Sequence, residues 1–98
     1  MNTKPSLFTC LSPALLPLYN LEHAIVVIID VFRATSTITT ALFNGAEKVI
    51  PVDSVEECIK IGNVLNAITA GERDCKVVPG LQYGNSPAEY PRDFIEGK

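Results

Sequence analysis

The stretch Ala24–Thr40, AIVVIIDVFRATSTITT, decides how the chain is read. Its first part is an apolar run interrupted only at Asp30 and completed by Val31. It falls far short of the roughly 20 residues a membrane span needs, and it is hydrophobic on both faces, as a parallel strand covered by helices is. Arg33 follows, and Thr35-Ser36-Thr37 opens a helix running to Phe43, with Ile38, Ala41 and Leu42 on one face and Asn44-Gly45 as its C-cap. Polar groups at the carboxyl end of such a strand, beside a new helix N-terminus, sit where α/β proteins bind ligands.

Outward from this stretch the same alternation continues. Ser6 to Leu11 reads as a first strand, Pro13 to Tyr19 as a short helical turn, and Lys48 to Val52 as the strand after the Thr35–Phe43 helix. Ser54-Val-Glu-Glu57 is a capping box opening a helix that carries Cys58, Ile61, Gly62, Leu65 and Ile68 near helical spacing. Ile68 to Glu72 and Lys76 to Val78 are short strand candidates. Gly80 to Pro87 is a loop, and Ser86-Pro87-Ala88-Glu89 supplies an N-cap, a proline at the first helical position and a glutamate at the third. The expected architecture is a three-layer α/β sandwich with a largely parallel or mixed sheet.

Composition bounds the rest. With 98 residues, 47% hydrophobic and 19% charged, and a mean hydropathy of +0.22, the chain can bury one modest core. A net charge of −3, a pI near 5.0 and scattered basic residues give no electrostatic footprint for nucleic acid. Cys10, Cys58 and Cys75 are widely spaced, and His23 is the one imidazole, so a structural zinc site is excluded. The thiols read as packing residues of a protein in the reducing cytoplasm. The N-terminal LFTCLSPALLPL looks superficially like a secretory leader. Ser12, Pro13 and Pro17 break its apolar region, and the expectation is a cytoplasmic chain with no membrane partner.

The helix starts differ from one another. Glu57 and Glu89 serve the free N–H groups of the two later ones, whereas Ala34-Thr35-Ser36-Thr37 has no acid of its own. Its positive end is open to an external anion, and Arg33 beside it adds a planar fork that matches anionic oxygens in pairs. Asp30, Arg33 and this terminus are expected to converge.

IIDVFRATSTITTALFNGAEKVIPVDSVEEC, followed by TAGERD and by the GNSP of Gly84 to Pro87, resembles the 2-phosphosulfolactate phosphatases of coenzyme M biosynthesis, the ComB family. The likeness spans Ile25 to Tyr90. It implies a magnesium-dependent phosphatase that hydrolyses 2-phospho-3-sulfolactate, or a similar small phosphorylated hydroxy acid, to 3-sulfolactate and phosphate. It also implies that residues 1–98 are the N-terminal portion of a single α/β phosphatase domain truncated at its C-terminus. A sheet edge left open in that way would promote association between copies.

Magnesium takes hard oxygen ligands, commonly one or two protein carboxylates. With the resemblance, Asp30 and Glu72 are the expected metal carboxylates, and Asp30 is open to a role as nucleophile or base. Arg33 is the expected catalytic anion clamp, with Arg73 a second clamp for a substrate carrying several acidic groups. Thr35, Ser36 and Thr37 are candidates for hydroxyl or amide bonds to phosphate, and Asn85 and Ser86 for substrate contacts from a nest-like turn. Read without the resemblance, Asp30 serves equally as a helix cap or as a partner for Arg33, and Glu72 as a solvated turn residue, and a non-catalytic α/β module that binds a small anion, or an inactive truncated remnant, is the competing class. Tyr83 and Tyr90 are expected at the core edge.

Overall fold

The structure, a computed structural model, describes residues 4–98. Pro13–Leu18 forms a 3-10 turn whose start is capped by Ser12. The helix α1 spans Ala34–Phe43 and α2 spans Val55–Leu65. β1 (Glu72–Arg73) and β2 (Lys76–Val77) pair antiparallel, Glu72 opposite Val77 and Arg73 opposite Lys76. A second 3-10 turn at Pro87–Glu89 leads to the short helix α3, Arg92–Ile95.

Local chemistry accounts for these boundaries. Ser54 Oγ accepts the Glu57 N–H and starts α2. That helix ends where Asn66 turns into the left-handed region at φ 50°, a conformation asparagine tolerates. Gly45 closes α1 at φ 101°, and Arg92 donates from its guanidinium to the Phe43 carbonyl, serving the negative end of the same helix. The β1–β2 connection has Asp74 and Cys75 at φ 52° and 60°, as a two-residue type I′ hairpin demands. Cys75 is therefore an exposed turn residue rather than a packing one, while Cys10 and Cys58 are half-buried.

The core lies between α1 and the C-terminal segment. Ala41, Tyr90 and Ile95 are its buried centre, with Ala46, Ile68, Tyr83 and Phe94 packed around them. The Tyr83 and Phe94 rings stand 5.1 Å apart and those of Tyr83 and Tyr90 6.3 Å, within the range where tilted aromatic pairs attract. Tyr90 thus belongs to the middle of the core and not to its edge. Along α1 the buried residues are Thr37 and Ala41; Leu42 is turned outward. Asn44 donates to the Tyr90 carbonyl at 2.8 Å, tying the end of α1 to this centre.

The chain is a small α/β fold whose pairing departs from expectation. Its sheet is the antiparallel hairpin, and the parallel pairing among the described residues is an isolated bridge between Ala70 and Tyr83. Ser6–Leu11, Ala24–Val31 and Lys48–Val52 form no ladder. The reason is physical: a strand exists only against a neighbour, and no other extended segment among the described residues pairs with Ala24–Val31. Ile25 is consequently 94% and Phe32 88% exposed, so the most apolar segment of the chain contributes little to its core.

Gly62 on α2 supports the opposite side of the fold. A Cβ there would stand 2.4 Å from the Thr69 methyl, and Thr69 is buried, with its hydroxyl accepting the Gln82 N–H. Gly62→Ala is therefore expected to destabilise the protein by about 1–2 kcal/mol, overpacking outweighing the gain in helix propensity. Urea unfolding of the two forms measures the difference.

Candidate functional site

The polar residues gather on two sides of the α1 start. On one side Asp30 lines an open cleft of ≈440 Å³ with Ile28, Ile29, Val31, Thr35, Ser36, Thr39 and Thr40. Asp30 is half-buried there. The Ser36 hydroxyl donates back to the Val31 carbonyl, fixing the bend between the apolar run and the helix. Arg33 stands at the N-cap position, no side chain caps the helix, and its first turn holds no acid. The open positive end inferred from the sequence is present.

On the other side Arg33 meets Glu72. Its Nη2 lies 2.5 Å from Glu72 Oε1, and the same oxygen accepts the Asn85 N–H at 2.5 Å. Asn85 in turn accepts from the Thr37 hydroxyl through its carbonyl, also at 2.5 Å. One carboxylate oxygen thus joins the start of α1, strand β1 and the Gly84–Pro87 loop. The Asn85 amide, and after it the Arg33 guanidinium, hold the Glu72 carboxyl below its ordinary value of 4.5.

The sign of that shift fixes a pH dependence. As the pH falls below 4.5 the unfolded chain takes up the Glu72 proton first, so the stabilisation present above that value disappears as the pH passes down through the lowered folded value. Glu72→Gln removes the charge and keeps an acceptor. The stability difference between wild type and this variant is expected in full at pH 6 and should shrink progressively as the pH falls below 4.5 in urea titrations.

The Gly84–Ser86 backbone is fully engaged. Gly84 N–H donates to Glu89 Oε1 at 3.3 Å and Ser86 N–H to Glu89 Oε2 at 3.0 Å. The Tyr90 hydroxyl donates to the Gly84 carbonyl at 2.5 Å. Burial, reinforced by the Glu89 carboxylate, pushes the Tyr90 phenol up to about 12, so it remains a donor. A Cβ on Gly84 would come within 2.8 Å of Glu72 Oε1 and 3.1 Å of Glu89 Oε2, so a larger residue here would displace the carboxylates that hold the turn. The loop's amides face Glu72 and Glu89 rather than open space, so it does not form the anion-binding nest expected of it.

The structure therefore brings together Arg33, Thr37, Glu72 and Asn85, and separately Asp30, Thr35 and Ser36. Arg33 does not line the Asp30 cleft; Glu72, 39 positions away in the chain, is its partner. Arg73 is exposed and donates to the neighbouring Glu72 carbonyl at 2.9 Å, away from the cluster. Ser86 sits at the cap of the Pro87–Glu89 turn. Glu89 and Tyr90 were not among the candidates; the acid three positions after Ser86 signalled a cap, but nothing local signalled its second bond to Gly84.

Among the described residues no cluster of three or more metal-ligating side chains occurs, and no helix is long and apolar enough to cross a membrane. The donors that do exist are hard oxygens. Glu72 Oε2 and both Asp30 oxygens have no hydrogen-bond partner among the described residues; they are hard oxygens of the kind magnesium takes, but they stand on different sides of the α1 start.

By fold and site the chain is an α/β protein in which a guanidinium and carboxylates flank an uncapped helix start. It belongs to the 2-phosphosulpholactate phosphatase family, whose sequence pattern matches residues 10–98. A Clostridium perfringens relative named "Probable 2-phosphosulfolactate phosphatase" is 49% identical over 84 residues, covering 81% of this chain and 34% of the relative. Relatives with the same name from Caldanaerobacter subterraneus and Thermotoga maritima are 48% and 45% identical over 82 residues, covering 81% and 84% of this chain and 34% and 36% of themselves. The chain spans about a third of the length of the curated relatives it matches.

Proposed function

We propose that the protein carrying these residues is a magnesium-dependent phosphomonoesterase acting on 2-phospho-3-sulfolactate or a similar small phosphorylated hydroxy acid, giving the free hydroxy acid and phosphate, as in coenzyme M biosynthesis. The observation that supports this best is the Glu72 Oε1 junction, where residues from three separated family motifs, Arg33, Glu72 and Asn85, come into direct contact. The names of the relatives supply the reaction class.

A phosphate monoester resists attack because its charge repels a nucleophile, and catalysis is chiefly neutralisation and alignment. Asp30 on the cleft wall and Glu72 Oε2 on the other side of the α1 start are the carboxylates that would reach magnesium, which when bound supplies positive charge to the phosphoryl oxygens. Arg33, half-exposed and oriented by Glu72, would bind anionic oxygens with its remaining N–H groups. Thr35 and Ser36, on the cleft wall beside the open helix terminus, would receive the phosphoryl group. Asn85 and Ser86 would contact the rest of the substrate through their side chains, and Arg73, directed away from the cluster here, would have to turn toward it to meet a sulfonate or carboxylate.

In this reading Ala24–Val31 becomes a central strand of a largely parallel sheet, covered by helices, once the remainder of the family fold lies against it. The three free thiols suit a cytoplasmic setting. The test is phosphate release from synthetic 2-phospho-3-sulfolactate by the full reading frame, with and without magnesium. Release that needs the metal is the expected result. Binding of the substrate without release, in either condition, overturns the proposal in favour of a non-catalytic anion-binding module.

A further inference from the structure

Every backbone N–H and C=O of Gly84, Asn85 and Ser86 has a partner inside the protein, and all but one of those partners are side-chain atoms: Glu89 for two N–H groups, Glu72 for the third, Tyr90 and Thr37 for two carbonyls. The remaining carbonyl, of Ser86, accepts from the Glu89 N–H at 3.0 Å. Surface loops ordinarily leave much of this work to water. Here the anchors come from α1, from β1 and from the residues just after the loop, and Tyr90 is 4% exposed in the core centre.

Such a loop cannot turn its amides toward a ligand without breaking bonds to two carboxylates. What it holds at a fixed place relative to Arg33 is the Asn85 backbone, because Glu72 Oε1 binds both the Asn85 N–H and the guanidinium. We propose that Glu89 and Tyr90 are positioning residues: they lock the Gly84–Ser86 turn and so set Asn85 beside the Arg33–Glu72 pair, without touching substrate themselves. This rests on the reading that Asn85 contacts the substrate. Misplacing a substrate-contacting group by even 1 Å costs a large factor in rate.

Glu89→Gln replaces one of two acceptor oxygens by a donor that would face a backbone N–H, and Tyr90→Phe removes the hydroxyl alone. In the full reading frame, each is expected to lower kcat/KM about tenfold at a temperature where circular dichroism shows the variant folded. In an Asn85→Ala background the same substitutions are expected to cost less than about twofold, because residues acting through one group are not additive. Equal losses in both backgrounds, or no loss in either, overturn the proposal. Amide hydrogen exchange gives a readout independent of turnover. The Gly84 and Ser86 amides are expected to be protected in wild type and at least about tenfold less so in Glu89→Gln. Unprotected amides in wild type overturn the clamp whatever the activity, whereas protected amides in a protein that releases no phosphate uphold the clamp and reject the phosphatase reading.

Discussion

Asp30→Asn is expected to lower magnesium-dependent phosphate release by about a thousandfold, the scale seen when a preorganised charge-stabilising group is removed from an active site. Asparagine keeps the size of the side chain and loses its charge, and magnesium binds a neutral amide oxygen much less readily than a carboxylate. The fold should be unaffected, since Asp30 lies at the wall of the open cleft and makes no hydrogen bond among the described residues. Equal circular dichroism spectra with unequal rates are therefore the expected pair of measurements. A variant that retains the full magnesium-dependent rate would place the chemistry elsewhere.

Arg33→Ala should follow with a loss of about a hundredfold in kcat/KM, because it removes the cation nearest the open start of α1. Arg33→Lys is expected to recover little of this. A lysine can satisfy Glu72 as a point charge but cannot offer planar, paired donors to Glu72 and to a second anion together. The comparison isolates geometry from charge, since both variants leave the Asn85 N–H on Glu72 Oε1. Steady-state kinetics on alanine, lysine and wild-type forms, with unfolding monitored in parallel, decides it.

How much of this could be read from the chain depends on the range of the interaction. Ser54, Asn44-Gly45 and Ser86-Pro87 act on their immediate neighbours, and the end of α1, the start of α2 and the Pro87–Glu89 turn stand where those residues placed them, whereas α2 stops at Leu65, short of the Ile68 that helical spacing assigned to it. The coupling of Arg33 to Glu72 crosses 39 residues, and no periodicity encodes which carboxylate a guanidinium will choose. Asp30 was the nearer candidate in sequence, yet it lines a different side of the helix start. The second bond of Glu89, to Gly84, has no signature in the sequence, because the local capping role already accounts for an acid at that position. The strand at Ala24–Val31 was legible as composition but not as pairing: alternation and hydrophobicity say that a segment wants to be covered, while the ladder depends on which backbone arrives beside it.

That uncovered ribbon also bears on the fate of the polypeptide in a cell. A run of branched aliphatic side chains from Ile25 to Ile29, each half-exposed or more, is the kind of segment that chaperones grip and proteases sever. Lifetime would then be governed by how quickly a covering surface docks on it, so that abundance, ahead of any catalytic constant, becomes the first property to respond when Val27 or Ile28 is exchanged for a charged residue.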